Sequence, residues 1–149
     1  MSKSLGNVID PRDVITGATL QRLQFPHGIP ECGTDALRMA LCSYNVHGDD
    51  VRLDVTTALN FRHFCNKVWN AVRFVLASLG PHPELPPPHE EVVAQQPMEK
   101  WVLSKLVQAV AECDRRMEAL EVHGAVATVH HFWLRSFCDV YLVGDHVWM

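Results

Sequence analysis

The sequence predicts a mainly α-helical protein in which a polar loop and a short connecting segment lead into a helical bundle. Three observations carry that prediction. Apolar residues recur at helical spacing through three long stretches, about 55–79, 98–121 and 125–142. Helix start and stop signals stand where such patterns begin or end: Asp10-Pro11, Asp54 and Gly80-Pro81. The composition, 48% hydrophobic and 20% charged over 149 residues, is that of a globular chain long enough to bury a core.

Several classes are disfavoured at once. A net charge of −4 argues against a generally basic nucleic-acid binder, so any RNA contact has to come from a local patch. No apolar run approaches the roughly 18 residues of a membrane span, and no signal-peptide pattern opens the chain. Five cysteines (Cys32, Cys42, Cys65, Cys113 and Cys138) form no Cys-x-x-Cys pair. They read as buried thiols in a reducing compartment, without a zinc site.

Met1 to Pro11 reads as a polar loop running into a helix start. Ser2, Lys3, Ser4, Gly6 and Asn7 give it a flexible cation, hydroxyls and accessible backbone N–H groups, a set suited to a polyphosphate. Asp10 can cap, Pro11 suits the first helical position, and Asp13 falls where a capping-box acid belongs. Gly17 is expected to end this short helix. Phe25 to Pro30 is a loop, since two prolines and a glycine interrupt any regular element there. Gly33 or Thr34 can then cap a helix to about Tyr44 with Ala36, Leu37, Ala40, Leu41 and Tyr44 on one face.

Asn45 to Asp54 is another loop, and Asp54 caps the most informative helix, Val55 to about Leu79. That helix is roughly 37 Å long at about 1.5 Å per residue. Phe61, Phe64, Cys65, Val68, Trp69, Val72, Val75, Leu76 and Leu79 form its expected core face. Arg62, His63, Asn66, Lys67, Asn70 and Arg73 form the opposite face, and no Asp or Glu interrupts the helix. Cations, amides and an imidazole without carboxylates suit phosphate and sugar contacts, although a plain solvated face has the same pattern. Residues 81–97 hold six of the nine prolines and read as an extended linker.

The next helix is expected from about Met98 to Glu121. Its core stripe is Trp101, Val102, Leu106, Val110, Cys113, Met117 and Leu120, and Glu112, Asp114, Arg115, Arg116 and Glu118 form a mixed-charge solvent face. A break at Val122–Gly124 precedes a last helix to about Leu142, with Val126, Val129, Trp133, Phe137, Val140 and Tyr141 inward. His130 and His131 are adjacent and point about 100° apart, so they cannot make the i, i+4 pair a metal needs; one is expected packed and one exposed. Trp101 and Trp133 read as core anchors.

Three strings carry a family resemblance. Ser2-Lys3-Ser4-Leu5-Gly6-Asn7-Val8-Ile9-Asp10-Pro11 resembles the Lys-Met-Ser-Lys-Ser signature of class I aminoacyl-tRNA synthetases, with the continuation found in the valine and isoleucine enzymes. The signature's first lysine would precede Met1. Phe25 to Arg38, FPHGIPECGTDALR, resembles the eukaryotic valine enzymes, in which the connection before this string is usually longer. Arg62-His63-Phe64-Cys65-Asn66-Lys67-Val68-Trp69-Asn70-Ala71 is similar to the opening of their anticodon-binding bundle.

The resemblance implies a division into residues 1–44, signature loop and connection from the catalytic domain, and 45–142, a partial anticodon-binding bundle containing the 81–97 linker. Val143 to Met149 departs from the family and is expected to come from a read-through or misjoined exon. The implied reaction joins valine and ATP, with Mg2+ in the intact enzyme, into valyl-adenylate, then passes the valyl group to tRNA(Val). Lys3 aligns with the second signature lysine and would be the catalytic cation. Ser2, Ser4, Gly6 and Asn7 would complete the ATP-binding loop, and Arg62, His63, Asn66, Lys67, Asn70 and Arg73 are candidate tRNA contacts. No bound metal, membrane or DNA partner is expected. Wording and divergence resemble the mitochondrial forms more than the cytosolic ones. The family's other catalytic signatures are not in these residues, so the chain alone is expected to be inactive. Two alternatives stand beside this: a non-catalytic helical module binding RNA or protein, and an isoleucine-specific relative.

Overall fold

Asp10 opens the first helix as its sequence context predicts: its carboxylate accepts the Arg12 N–H at 2.8 Å, and Pro11 occupies the first helical position. This helix, α1, spans Pro11–Thr16 and ends at Gly17, whose φ of 73° few side chains tolerate. The computed structural model describes residues 10–17, 28–45, 54–80 and 93–144. The loop residues Ser2, Lys3, Ser4, Gly6 and Asn7, most of the proline-rich linker and the last five residues lie outside the described residues.

The chain divides into two compact units, Met1–Asn66 and Lys67–Met149. In the first, the connection at 28–33 folds back on α1. Cys32 and Gly33 donate their N–H groups to the Val14 and Ile15 carbonyls at 3.4 and 3.1 Å, and the Cys32 thiol also donates to Val14. Helix α2 follows at Thr34–Ser43, and α3 at Val55–Leu79 gives its first half to this unit. Asp54 caps α3 through the Thr56 N–H at 2.9 Å, and its own N–H reaches the Tyr44 hydroxyl at 3.0 Å. Val14, Cys32, Ala36, Leu37, Ala40 and Ala58 form the core, flanked by Ile15, Leu59 and Phe61. The expected inner face of α2 holds for Ala36, Leu37 and Ala40 but not for Leu41, which is exposed.

The second unit contains the remainder of α3, then α4 (Pro97–Glu118), α5 (Val122–His131) and a π-helical stretch (Phe132–Leu142). Glu99 starts α4 by accepting the Gln95 and Gln96 N–H groups at 2.8 and 3.1 Å, which lowers its pKa. The break after α4 comes at 119–121, earlier than the expected Val122–Gly124. Leu120 takes φ 58°, and the Leu120 and Glu121 N–H groups turn back to the Met117 and Arg116 carbonyls. That is a Schellman ending with leucine where glycine is usual. Gly124 instead lies buried inside α5, where a Cβ would stand 2.4 Å from Arg116 Cδ. Glycine there leaves room for the Arg116 side chain to cross α5.

Several predicted core positions lie outside. Of the α4 stripe, Val102 is buried and Trp101 half-buried, while Leu106, Val110, Met117 and Leu120 are exposed. Along the second half of α3, Ala71 is buried but Trp69, Val72, Leu76 and Leu79 are exposed, Trp69 by 65%. Periodicity marks a face as apolar; burial needs a partner on that face.

The π-helical stretch corrects the last element in a different way. With i→i+5 bonding, residues five apart stack, and Phe132 and Phe137 lie 6.3 Å apart at 18°. Trp133 meets Phe137 edge-on at 5.1 Å. The wider turn rotates Ser136 and Cys138 inward and leaves Val140 exposed, against the α-helical expectation. His130 is half-buried, its pKa lowered mainly by desolvation, and His131 is exposed, as the sequence predicts. No helix among the described residues is long and apolar enough to cross a membrane.

Candidate nucleic-acid interface

The polar face of α3 divides at the boundary between the units, and the two halves differ. In the first unit His63 and Asn66 are exposed, as expected, while Arg62 is half-buried. Arg62 Nη1 donates to the Glu31 carbonyl, holding its guanidinium against the segment that enters α2. Arg62 and Asn66 line a recess of about 230 Å3 with Thr34, Asp35 and Ala36, the first residues of α2. Gly33 caps α2 without a side-chain acceptor, so N–H groups at that helix end remain available to an anion. Asp35, in the same turn, opposes one.

Cys32 and Cys65 also border that recess, and burial pushes both thiols up. They are therefore poor nucleophiles at neutral pH. All five cysteines are unpaired, but Cys42 is exposed, against the expectation of buried thiols; it lies beside Leu41 on the outer side of α2.

In the second unit Asn70 and Arg73 are exposed, and Lys67 is partnered. Its Nζ lies 2.9 Å from Asp139 Oδ1, and this bond is the main cause lowering the Asp139 pKa. Arg135 reaches the other carboxylate oxygen at 3.5 Å. The absence of carboxylates along α3 therefore leaves Lys67 with an acid anyway, supplied from 72 residues away. No local sequence signal marks Asp139 as that partner. Of the three cations on the face, Arg73 is the one for which no hydrogen bond or ion pair appears among the described residues. No group of three or more His, Cys, Asp or Glu side chains suited to a metal occurs among the described residues.

Two family models match the chain. One, tRNA synthetases class I (I, L, M and V), covers residues 1–54. The other, the anticodon-binding domain of tRNA ligase, covers residues 99–146 and so takes in α4, α5 and the π-helical stretch. Helix α3 lies between the matched segments. The chain is 50% identical to the mitochondrial valine–tRNA ligase of Mus musculus and 47% identical to that of Homo sapiens, in each case across 95% of its length. It is 43% identical to the valine–tRNA ligase of Caenorhabditis elegans, again across 95%. It spans only 16%, 15% and 16% of those three proteins. The alignments to the mouse and human proteins run over 165 positions, more than the chain's 149 residues, so these relatives carry additional residues inside the matched span. No solved structure matches the chain.

Proposed function

From the premise that the chain belongs to the valine–tRNA ligase family of class I tRNA synthetases, we propose that it supplies the ATP-facing loop and part of the tRNA-binding bundle of such an enzyme. The observation that carries this reading is identity of about one half to mitochondrial valine–tRNA ligases, sustained over 95% of the chain. In the complete polypeptide, valine reacts with Mg2+-bound ATP to give valyl-adenylate and pyrophosphate, and the valyl group then passes to tRNA(Val). The same relatives support a mitochondrial location.

Residues 1–44 belong on this reading to the signature loop and its connection, residues 45–142 to the bundle, and residues 143–149 to a tail, the first four residues of which fall within the segment that the anticodon-binding family model matches. Lys3 stabilises negative charge that develops on the phosphates as pyrophosphate leaves; it takes no proton and forms no bond. Ser2 and Ser4 shape the loop, and Gly6 and Asn7 let its backbone approach the nucleotide. Removing one such preorganised donor usually costs about 10²–10³ in rate. Lys3→Ala in the complete enzyme is expected to lose pyrophosphate exchange to that degree, and unchanged exchange would remove Lys3 from the mechanism.

On α3 we assign RNA phosphate and sugar contacts to Arg73, Asn70, His63 and Asn66, with Arg62 and Lys67 contributing only where a phosphate displaces their present partners. tRNA binding by the chain should weaken as salt rises. Each cation in true contact with a phosphate should lower the slope of log K against log salt by about 1 when replaced. The slope of an Arg62→Ala, Lys67→Ala, Arg73→Ala triple variant tests this, and an unaltered slope would leave the face as solvent surface. A second reading keeps the family and drops the catalysis: the 149-residue chain binds tRNA without charging it. Its sequence holds one signature loop and no Gly-rich nucleotide cradle. Binding and charging assays run side by side separate the two.

A further inference from the structure

Two exposed apolar seams of the second unit are not used by the reading above. On α3, Trp69, Val72, Leu76 and Leu79 follow at i, i+3, i+7 and i+10, and all four are exposed. On α4, Leu106, Val110 and Met117 follow at i, i+4 and i+11 and are exposed, with half-buried Cys113 between them and exposed Val107 alongside. Steps of three and four keep such residues on one line of a helix. The two lines match in length, about 15 Å on α3 and about 16 Å on α4 at about 1.5 Å per residue. Among the described residues the close helix pairings of this unit are those of α4, α5 and the π-helical stretch with one another, and α3 is not among them.

Charge makes the two seams complementary. Arg73 stands four residues after Trp69 and three before Leu76, so it borders the α3 seam on one side. Asp114 stands four residues after Val110 and three before Met117, so it borders the α4 seam on the corresponding side, with Glu118 one turn further along. All three are exposed, and no hydrogen bond or ion pair appears for any of them among the described residues. Pairing α3 with a second α3 would offer Arg73 no acid, because the helix carries none. The α4 seam supplies one. Since Arg73 and Asp114 lie on the same side of their seams, they meet only when the two helices run antiparallel.

We propose that the occupant of these seams is a second copy of this chain: the α3 seam of each copy packs antiparallel on the α4 seam of the other, with Arg73 facing Asp114 across both contacts. Whole aliphatic side chains of this size carry roughly 60–120 Å2, and a tryptophan roughly 150–250 Å2. The eight exposed side chains of the two seams, each open by about half, therefore present about 400 Å2 of apolar surface per copy. A standard stable interface buries about 800 Å2 per partner, a little over half of it apolar. Both seams together approach that size and either alone supplies about half of it, so the contact has to be reciprocal. A two-fold axis gives that arrangement directly, because the same patch on each copy then meets itself. The dimer does not rest on the tRNA-binding reading, but it engages Arg73 and so competes with RNA for that side chain.

The test is sedimentation velocity of the full chain across micromolar concentrations. It is run under reducing conditions, because Cys42 is exposed and a disulfide between copies would imitate the contact. The chain should shift from monomer to dimer, and to nothing larger, as concentration rises. Arg73→Glu should weaken the dimer at least tenfold, and Asp114→Lys should do the same, since each sets like charges against one another. Combining the two reversals in one chain should restore most of the affinity, which a misfolded variant would not do, and circular dichroism checks that each variant stays helical. A monomer at every concentration overturns the proposal. So does a dimer that ignores both reversals, or one that their combination fails to restore. A monomer whose urea midpoint follows the reversals and their rescue puts the α3–α4 pairing inside one chain, and a monomer that binds anionic vesicles through Trp69 assigns the seam to a lipid surface. Either outcome overturns the dimer.

Discussion

Replacing Gly17 by alanine should damage the first unit more than the same change at Gly33, and the difference isolates a single backbone approach. Both glycines have positive φ, 73° and 81°. For an alanine, such conformations cost about 1–3 kcal/mol each. Both variants stiffen the unfolded chain alike, so that contribution cancels between them. What differs is space. A Cβ on Gly17 would stand 2.7 Å from both the Glu31 nitrogen and the Ile29 oxygen, whereas one on Gly33 meets nothing within 4 Å. The obstructing atoms are backbone, so the 29–31 segment itself has to retreat from α1. Overpacking of that kind adds about 1–3 kcal/mol. Gly33→Ala should therefore cost about 1–3 kcal/mol and Gly17→Ala about 2–6 kcal/mol, the latter enough to unfold a small unit. Urea titration followed by far-UV circular dichroism measures the difference. Hydrogen exchange localises it, because the Cys32 and Gly33 amides bond to the Val14 and Ile15 carbonyls across this approach. Equal losses in the two variants, with both amides still protected, would refute the reasoning. The effect also reaches the candidate interface, since the Glu31 carbonyl holds Arg62.

Two further outcomes concern the second unit. Leu120 is 83% exposed with φ 58°, so Leu120→Gly loses little burial and relieves a left-handed conformation. That relief is about 1–2 kcal/mol, offset by about 0.5–1 kcal/mol for glycine's freedom when unfolded, and the net is stabilisation by up to about 1.5 kcal/mol in urea unfolding. At the same junction Glu112 is held down to about 2 from 4.5, first by hydrogen bonds from Arg115 and Arg116. Its folded pKa lies below its unfolded one, so its contribution to stability is present above about pH 4.5 and is lost as pH falls toward about 2. An acid titration of unfolding should show the parent losing stability relative to Glu112→Gln across that window. Parallel curves would mean that the clasp is absent in solution.

The local chemistry of the chain was legible without coordinates. Asp10 and Asp54 cap the helices they were expected to cap, α3 begins and ends at the predicted residues, and of the two adjacent histidines one is half-buried and the other exposed, as expected. These features depend on neighbours within a turn or two, where residue type fixes the hydrogen bond. The family was legible too, because the strings at Ser2–Pro11, Phe25–Arg38 and Arg62–Ala71 are read as words, independently of packing. Tertiary structure decided the rest. Burial of an apolar stripe requires a surface opposite it, so Trp69 and Leu76 have periodicity without shelter while Ala58 and Ala71 are buried. The partners of charged groups come from distant sequence: Glu31 holds Arg62, and Asp139 holds Lys67. The helix end at Leu120 and the π-helical turn at Phe132–Leu142 set which side chains face inward beyond them. The sequence by itself determined where most helices lie, the caps at Asp10 and Asp54, and the family. Which faces those helices bury, and which of the α3 cations stay available to an RNA phosphate, depended on packing between residues that no periodicity connects.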